Sequence, residues 1–352
     1  MKPLRIAQIA PLWASVPPAT YGGIELLVSL LTEELVRRGH DVTLFASGDS
    51  KTGAKLVPVC EENMIALMSK NIAGNYEYFS NAAVAETLRR ADDFDLLHFH
   101  IGTAWIPFSV SVKTPALWTM HTFSCDDDVW AARHYPQAYI VGISRDQVRN
   151  LAAARSDEEI PIVYNGCDFS SYEPRFEPGS YLAFLGRMAH DKNPLDSIRI
   201  AKKLGMKILL AGNPQKRSEV EYFEKEIKPL IDGESVVHLG LVNHARKNEM
   251  LRNAAALLFP VLWPEPFGLV MIEAMACGTP VVAHDLGSVA EVIDDGVTGF
   301  RAGSISEMES LVPRALALDR RRVRERACER FGYERMVDSY LALYRRVLKS
   351  HG

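Results

Sequence analysis

Two glutamates lie eight residues apart in a stretch that otherwise has the composition of a protein core. The segment "WPEPFGLVMIEAMACGTPVV" (263–282) contains Glu265 and Glu273, separated by apolar residues and one glycine. A carboxylate is costly to bury unless a partner compensates for its lost hydration. The pair therefore predicts a site at which carboxylates face a polar ligand.

The residues around Glu265 also predict an anion-binding group of backbone amides. Pro264 and Pro266 favour an extended conformation for Glu265, and a helix is predicted to begin near Gly268. The first N–H groups of a helix have no intrahelical acceptor. The amides concerned are those of Phe267, Gly268, Leu269 and Val270. Amides suit phosphates and carboxylates suit hydroxyls, so the combination indicates a ligand with a sugar, a diphosphate and a ribose. The alternative interpretation is a helix capped by acidic residues.

Two cations follow another predicted strand. In "GRMAHDKNP" (186–194), Gly186 precedes Arg187, and Lys192 lies five residues further along the chain. Arginine offers a planar fork and lysine a point charge, and together they could neutralise a diphosphate without a metal. A solvated basic loop is the alternative.

A glycine pair follows the first predicted strand. Gly22 and Gly23 in "PLWASVPPATYGGIE" (11–25) open a predicted helix, where a phosphate could approach bare N–H groups. An ordinary turn is the alternative. The spacing is not GxGxxG, so the sequence does not predict a dinucleotide site here.

Three histidines follow two further strands. His98, His100 and His121 precede Cys125 and the acidic triplet 126–128, and such a set could bind a metal. We favour histidines that face a cleft as hydrogen-bonding groups, and an exposed acidic loop, over a metal site or a DxD motif.

Strands and helices alternate along nearly the whole chain, which is typical of parallel sheets covered on both faces. A segment rich in Ser, Pro and Gly (166–180) interrupts the alternation and predicts a flexible linker between two doubly wound α/β domains. Helices are predicted at 23–39, 194–204, 217–230 and 330–348. Strands are predicted at 4–10, 41–46, 95–100, 115–120, 138–144, 161–166, 181–186, 206–212, 236–240, 255–260 and 279–284.

Composition is that of a soluble, cytoplasmic enzyme. The 352 residues are 47% hydrophobic and 24% charged, and the formal net charge of −4 argues against nucleic acid as a partner. Five scattered cysteines without a CxxC pair predict reduced thiols. The N-terminus has no signal-peptide pattern, and the longest apolar run is about half a membrane span. The arginine-rich segment 319–330 predicts a solvated helix, with weak peripheral contact to anionic lipid as the alternative.

Four motifs together resemble a known family. The stretch 265–300 resembles the E-x7-E region of the retaining glycosyltransferases of family 4, and 186–194 resembles their GR…K element, with Asn193 where glycine is usual. "VYNGCD" (163–168) and "YGGIE" (21–25) resemble the linker entry and the first glycine loop of that family.

The resemblance implies the GT-B fold: two Rossmann-like domains facing across a cleft, with a last helix that crosses back to the first domain. The expected ranges are 1–168 for an acceptor domain, 169–332 for a donor domain and 333–352 for the crossing helix.

The resemblance also implies roles for individual residues. It implies catalytic roles for Glu265, His121, Arg187 and Lys192. It implies donor binding by Gly22, Gly23, Gly186, Leu241, Val242, Phe267, Gly268, Leu269, Val270 and Glu273. Three aromatic residues are candidates for stacking on an acceptor sugar, with simple packing as the alternative: Trp13, Tyr21 and Trp130.

The implied reaction transfers a hexose-type sugar from a nucleoside-diphosphate sugar to a hydroxyl of a glycan, a lipid-linked molecule or a small molecule, with retention of configuration. Neither a cofactor nor a metal is expected. The alternatives are a noncatalytic nucleotide-sugar binder, an epimerase or a phosphorylase. A nicotinamide dehydrogenase is disfavoured because no GxGxxG follows any strand.

Overall fold

The computed structural model describes residues 2–20, 22–154 and 160–351 of the chain. It divides into two compact units. The first comprises the chain up to residue 166 together with residues 333–352, and the second comprises residues 167–332. The domain ranges expected from the sequence place this division two residues later, after residue 168.

Each unit contains one six-stranded sheet, and every strand pair in both sheets is parallel. The strand order is β3-β2-β1-β4-β5-β6 in the first unit and β12-β11-β10-β7-β8-β9 in the second. The strands are β1 (Arg5–Ile9), β2 (Asp41–Ser47), β3 (Lys55–Cys60), β4 (Leu96–Phe99), β5 (Ala116–Thr119), β6 (Tyr139–Val141), β7 (Tyr181–Leu185), β8 (Ile208–Ala211), β9 (Val236–His238), β10 (Ala254–Phe259), β11 (Val281–His284) and β12 (Gly299–Ala302).

Helices connect most of the strands, whereas β2 and β3 are joined by residues 48–54 without a helix. The helices are α1 (Gly23–Arg37), α2 (Met64–Ser69), α3 (Tyr76–Arg89), α4 (Ile106–Ser109), α5 (Asp126–His134), α6 (Arg149–Ala154), α7 (Pro194–Lys203), α8 (Arg217–Tyr222), α9 (His244–Asn253), α10 (Leu269–Ala276), α11 (Val289–Val292), α12 (Ile305–Leu316), α13 (Arg320–Phe331) and α14 (Tyr333–His351). Two doubly wound α/β units therefore confirm the predicted fold class.

The last helix belongs to the first unit. Tyr344 of α14 is fully buried, and its hydroxyl accepts a hydrogen bond from Nε2 of Gln8 on β1 at 3.2 Å. Arg38, which follows α1, forms an ion pair with Asp338 of α14. The apolar face of α14 thus covers the sheet that the first half of the chain forms.

Two predictions about local structure are wrong. The expected strand at 161–166 is reduced to one bridge between Gly142 and Ile162, beyond the end of β6. The predicted helix at 217–230 is helical throughout, but only α8 is an α-helix, and a π-helical turn and a 3₁₀ turn that contains Pro229, which lacks an N–H group, follow it. Segment 166–180 is not a bare flexible linker, because Cys167, Phe169 and Tyr172 are buried.

The acidic triplet and the arginine-rich segment also differ from expectation. Residues 126–128 form the first turn of α5, where acidic groups are favoured by the helix dipole, rather than an exposed loop. Helix α13 is not simply solvated. Arg320 is buried and donates to the carbonyl oxygens of Arg175 at 2.8 Å, Ala254 at 2.7 Å and Arg252 at 2.9 Å. Burial lowers the pKa of Arg320 to about 10. Arg320 therefore ties segments of the second unit together. Contact with lipid would need the other arginines of residues 319–330.

Within the described residues, no helix has both the length and the apolar character needed to cross a bilayer.

Candidate functional site

The segment between β10 and α10 is held by close backbone contacts. Gly268 caps α10 with a φ of +77°, and a Cβ there would lie 2.6 Å from Cε of Met271. Gly287 has a φ of +66°, and a Cβ there would lie 2.3 Å from the amide nitrogen of Glu265. Ser288 donates its N–H to the carbonyl of Glu265 at 2.9 Å. The backbone of Glu265 is therefore fixed by a glycine that the sequence interpretation gave no role.

The carboxylate of Glu265 has two protein donors on one oxygen. Lys192 forms an ion pair with Oε2, and the indole N–H of Trp263 donates to the same atom at 2.9 Å. The ammonium group of Lys192 also lies 4.9 Å from the centre of the Trp263 ring. No described residue donates to Oε1, so this oxygen retains its capacity to accept hydrogen bonds from a ligand.

Glu273 repeats this arrangement on the second turn of α10. The Tyr172 hydroxyl donates to Oε1 at 2.9 Å, and Lys247 forms an ion pair with the same atom. Glu273 is buried, and burial beside this carboxylate raises the pKa of Tyr172 well above its ordinary value. Oε2 accepts from no described residue. Sequence reasoning missed Tyr172 and Lys247, because neither lies in the motif that contains Glu273.

Arg187 lies between two carboxylates. Its guanidinium forms ion pairs with Glu219 and, at 2.9 Å, with Asp191. Glu219 is itself held in place, because its Oε2 accepts the N–H of Gln215 at 2.7 Å. Gly186 precedes this group and donates its N–H to Ala211 at 3.0 Å. A diphosphate at Arg187 would therefore share or displace carboxylate partners that the sequence did not reveal.

Asn193 departs from the family pattern without distorting the chain. It has a φ of +57°, a left-handed conformation that asparagine tolerates better than most residues. Its Nδ2 donates to the carbonyl of Pro260 at 3.1 Å, and its Oδ1 accepts the N–H of Asp196 at 3.3 Å. Asparagine thus tolerates the left-handed backbone at this position, and it ties the Lys192 loop to the end of β10.

The other expected donor-binding residues of the second unit lie on two segments. Leu269 and Val270 occupy the first turn of α10, where helix geometry supplies no acceptor for their N–H groups. Phe267 is buried, with its ring centre 5.8 Å from that of Phe331. Leu241 and Val242 follow β9, and Leu241 is half exposed.

The first unit contains the remaining glycines and aromatic residues. Gly22 caps α1, Gly23 begins it, and buried Glu25 accepts the N–H of Ala14 at 3.2 Å. Trp13 stacks on Tyr76 at a centroid distance of 4.4 Å and remains 43% exposed. Trp130 stacks on His134 at 4.2 Å. Tyr21 lies outside the described residues. The roles given to these residues stay predictions.

The three histidines form hydrogen bonds, but His98 does not face an opening. It is fully buried beneath α14, and its ring nitrogens lie 2.6 Å from the Tyr344 hydroxyl and 2.7 Å from that of Thr119. His100 and His121 contact each other, with Nδ1 of His100 3.0 Å from Nε2 of His121. Burial lowers the pKa of all three, that of His121 to about 3. Among the described residues, no three His, Cys, Asp or Glu side chains are grouped to hold a metal ion.

Two family models match the chain. The model described as "Glycosyl transferases group 1" matches residues 156–328, and that described as "Glycosyltransferase Family 4" matches residues 21–171.

Curated relatives match along nearly the whole chain. D-inositol 3-phosphate glycosyltransferase of Mycolicibacterium smegmatis is 26% identical over 94% of this chain and 87% of its own length. Alpha-maltose-1-phosphate synthase of the same organism is 26% identical over 97% of this chain and 99% of its own length.

Solved structures share the fold. Sucrose-phosphate synthase of Thermosynechococcus elongatus superimposes with a TM-score of 0.78 at 18% identity, over 99% of this chain and 100% of that one. Anabaena HepE in complex with UDP-glucose gives a TM-score of 0.74 at 17% identity, over the same shares of the two chains.

Proposed function

The chain is a glycosyltransferase of family 4 with the GT-B fold, and from that premise we propose its donor, its stereochemistry and its independence of metals. The donor is a nucleoside-diphosphate sugar, the acceptor is a hydroxyl group, and the anomeric configuration of the transferred hexose is retained. No bound metal takes part.

One observation carries this proposal. Glu265 and Glu273 each have one carboxylate oxygen that a lysine and a second donor hold, while the other oxygen accepts from no described residue. A site for an apolar ligand would not need two oriented acceptors beside a helix N-terminus. Hydroxyl groups of a sugar at Glu265 and of a ribose at Glu273 would satisfy both acceptors.

The groups near Glu265 suit the charge that develops on the leaving group. A nucleoside diphosphate carries roughly two to three negative charges near neutral pH. Lys192, Arg187 and the first-turn amides of α10 can stabilise that charge as the bond breaks. Because Lys192 and Arg187 pair with carboxylates in the absence of ligand, the diphosphate would exchange places with some of those partners.

The proposed step balances without another reactant. The bond between the anomeric carbon and the diphosphate oxygen breaks, and the acceptor oxygen forms a new bond to that carbon on the same face of the sugar. The proton of the acceptor hydroxyl passes to the departing phosphate oxygen. The role of His121 near the reacting carbon stays a prediction of the family resemblance.

A donor and acceptor screen tests the proposal. HepE was solved with UDP-glucose and starch synthase IV of Arabidopsis thaliana with ADP, so UDP-, GDP- and ADP-sugars form the first panel. We expect one donor to raise the melting temperature and to give a glycosylated acceptor by mass spectrometry, with the α or β configuration of the donor preserved in the product by NMR. Inversion would contradict retention. Tight donor binding without transfer to any acceptor would favour a noncatalytic binder, and donor conversion without an acceptor would favour an epimerase.

Metal removal tests the last part of the proposal. With the donor identified, we expect turnover in excess EDTA to match that with added Mg²⁺, because protein cations and amides supply the compensation that a metal would otherwise provide. Loss of activity in EDTA with recovery on adding Mn²⁺ would contradict this, and Asp126 and Asp128 would then be examined as ligands.

A further inference from the structure

A continuous chain of polar side chains runs through the first unit from Gln8 on β1 to His121 just after β5, and Gln8 and His100 are buried. Oε1 of Gln8 lies 2.8 Å from Nε2 of His100, and Nδ1 of His100 lies 3.0 Å from Nε2 of His121. Nδ1 of His121 ends the chain: it is shielded from solvent and has no hydrogen-bond partner among the described residues. Because these side chains are largely shielded from water, their donors and acceptors must match one another.

Both imidazoles in this chain are neutral near pH 7. Burial lowers the pKa of His100 well below its ordinary value and that of His121 to about 3. A neutral imidazole has one N–H donor and one acceptor nitrogen, and the hydrogen bond at one nitrogen determines what the other offers.

The amide oxygen of Gln8 determines the sequence of donors. An amide oxygen only accepts, so Nε2 of His100 carries the proton and Nδ1 of His100 is an acceptor. His121 must then donate from Nε2 to Nδ1 of His100. Nδ1 of His121 consequently has a lone pair and no proton. It can accept a hydrogen bond but cannot donate one.

A second branch of the network begins at the other end of the Gln8 amide. Nε2 of Gln8 donates to the Tyr344 hydroxyl at 3.2 Å, which leaves the hydroxyl proton for Nδ1 of His98 at 2.6 Å. His98 then donates from Nε2 to Thr119 at 2.7 Å. These roles are the ones that accompany an amide oxygen of Gln8 facing His100. Rotating the Gln8 amide by half a turn would reverse every donor and would place a proton on Nδ1 of His121.

We propose that Gln8 and His100 are positioning residues that hold His121 in the Nε2–H tautomer, so that Nδ1 accepts a hydrogen bond from a hydroxyl group of the sugar substrate. The inference rests on the proposed function for the identity of the ligand. In this proposal His121 is not a general acid, and it is not a cation that faces the diphosphate. The proposal also gives Gln8 a function that no motif indicates.

Histidine tautomers can be measured directly on the full chain. Long-range ¹H–¹⁵N correlation spectra of protein labelled with ¹⁵N-histidine distinguish protonated from unprotonated ring nitrogens, and the His121→Asn spectrum assigns the His121 signals. At pH 7.5 we expect His121 to be protonated at Nε2 only. Protonation at Nδ1 would overturn the proposal, whether or not a donor substrate is known.

A matched pair of variants tests the role of Gln8. Gln8→Leu removes the acceptor for His100, so we expect the His121 signals to shift toward a mixture of tautomers and kcat to fall about tenfold, the size expected for one lost hydrogen bond. Thr119→Val alters the other branch of the network and leaves the Gln8–His100–His121 contacts in place, so the His121 tautomer should not change. An unchanged His121 tautomer in folded Gln8→Leu would overturn the positioning role. If Gln8→Leu does not fold, the wild-type spectrum still decides the tautomer.

Ligand titration tests the hydroxyl group separately. We expect the Nδ1 signal of His121 to move on adding UDP-glucose, or the matching sugar nucleotide from the screen, but not on adding the nucleoside diphosphate alone. An equal response to both, or none to a donor that is turned over, would overturn a sugar contact. If no nucleotide sugar binds at all, the proposed function fails while the tautomer assignment stands on its own spectrum.

Discussion

Two groups of polar residues, one in each unit, are stabilised in different ways. In the second unit each of the two candidate glutamates is paired with a lysine: Glu265 with Lys192, and Glu273 with Lys247. In the first unit the chain from Gln8 to His121 contains no charged group and relies on matched donors and acceptors. The candidate glutamates of the second unit are therefore held by charged groups, whereas the network of the first unit is neutral.

This contrast predicts different consequences of mutation. Removing one member of a buried ion pair leaves an uncompensated charge, which is strongly unfavourable. Removing one member of a neutral hydrogen-bonded pair costs less. Variants in the two units should therefore differ in the size of their effects and in the measurement that detects them, which is enzyme kinetics for the second unit and the pH dependence of stability for the first.

Lys192→Ala should have the largest effect. It removes a cation proposed to stabilise the leaving group and leaves Glu265 without its ion-pair partner. We expect kcat/KM to fall about a thousandfold, or about 4 kcal/mol, the upper range for one catalytic electrostatic contact. The measurement is steady-state kinetics with the donor found in the screen.

Lys203→Ala is the matched control for Lys192→Ala. Lys203 also pairs with a glutamate, Glu309, but its side chain is 69% exposed. An exposed pair contributes little, so activity should stay near that of wild type. If both lysine variants kept their activity, the ion pair at Glu265 would have no role in catalysis.

Glu265→Ala should reduce turnover more than donor binding. Its oxygen Oε1 is proposed to accept from sugar hydroxyls whose contacts strengthen as the ring flattens toward the transition state. We expect a loss of about 2–4 kcal/mol in transition-state stabilisation, seen mainly in kcat. Near-normal kcat with a verified donor would show that Glu265 is not a catalytic residue.

The buried neutral histidines of the first unit should make the free energy of unfolding depend on pH. His98 is fully buried, and burial lowers its pKa well below the ordinary value, so the unfolded chain binds a proton that the folded chain does not. The stability that His98 contributes is present above pH 6.5 and is lost as the pH falls below that value. Between pH 6 and 5, we expect His98→Gln to reduce the slope of unfolding free energy against pH by about 1 kcal/mol per unit.

Thr119→Val separates this pH effect from simple destabilisation. It removes a hydrogen-bond partner of His98 but no titrating group, so the variant should lose stability without a change in slope. Urea denaturation followed by tryptophan fluorescence suits the measurement. The tryptophans Trp13, Trp105, Trp118 and Trp130 lie in the first unit, and the fifth is Trp263. A slope for His98→Gln equal to that of wild type would mean that His98 is charged in the folded protein.

The sequence predicted the doubly wound fold but missed β3 and β12. Both are edge strands, one containing Pro58 and the other only four residues long with a glycine and an arginine. Edge strands need less apolar surface than central ones, so their composition gives a weak signal.

The partners of the candidate site residues could not be read from spacing. Tyr172 lies 101 residues before Glu273, and Glu219 lies 32 residues after Arg187. Motifs describe residues that are close in sequence, whereas these contacts arise only when the sheet brings the ends of separate strands and loops together. The acidic triplet 126–128 was misinterpreted for a related reason, because the same residues suit an exposed loop and the first turn of a helix.

The smallest predicted effect concerns the hydroxyl that helps Lys247 to hold Glu273. Tyr172→Phe removes the donor 2.9 Å from Oε1 but keeps the ring and the ion pair. Glu273 should then be less well oriented for a ribose, and the affinity for the nucleoside diphosphate should fall about fivefold, or about 1 kcal/mol. A ribose contact is equal in ground and transition states, so kcat should be unchanged.

Isothermal titration calorimetry with the nucleoside diphosphate measures this effect, and Tyr181→Phe is its control. The Tyr181 hydroxyl donates to the carbonyl of Met250 at 2.9 Å and touches neither glutamate of the site. Both substitutions remove one hydroxyl from the second unit, so a general loosening of that unit would weaken binding in both variants. Weaker binding in Tyr172→Phe alone would show that the orientation of Glu273 matters. Equal affinities in wild type and Tyr172→Phe would have two explanations: Lys247 suffices to orient Glu273, or Glu273 does not contact the nucleotide. The Glu273→Ala variant decides between them. Its affinity for the nucleotide should fall only if the carboxylate contacts the nucleotide.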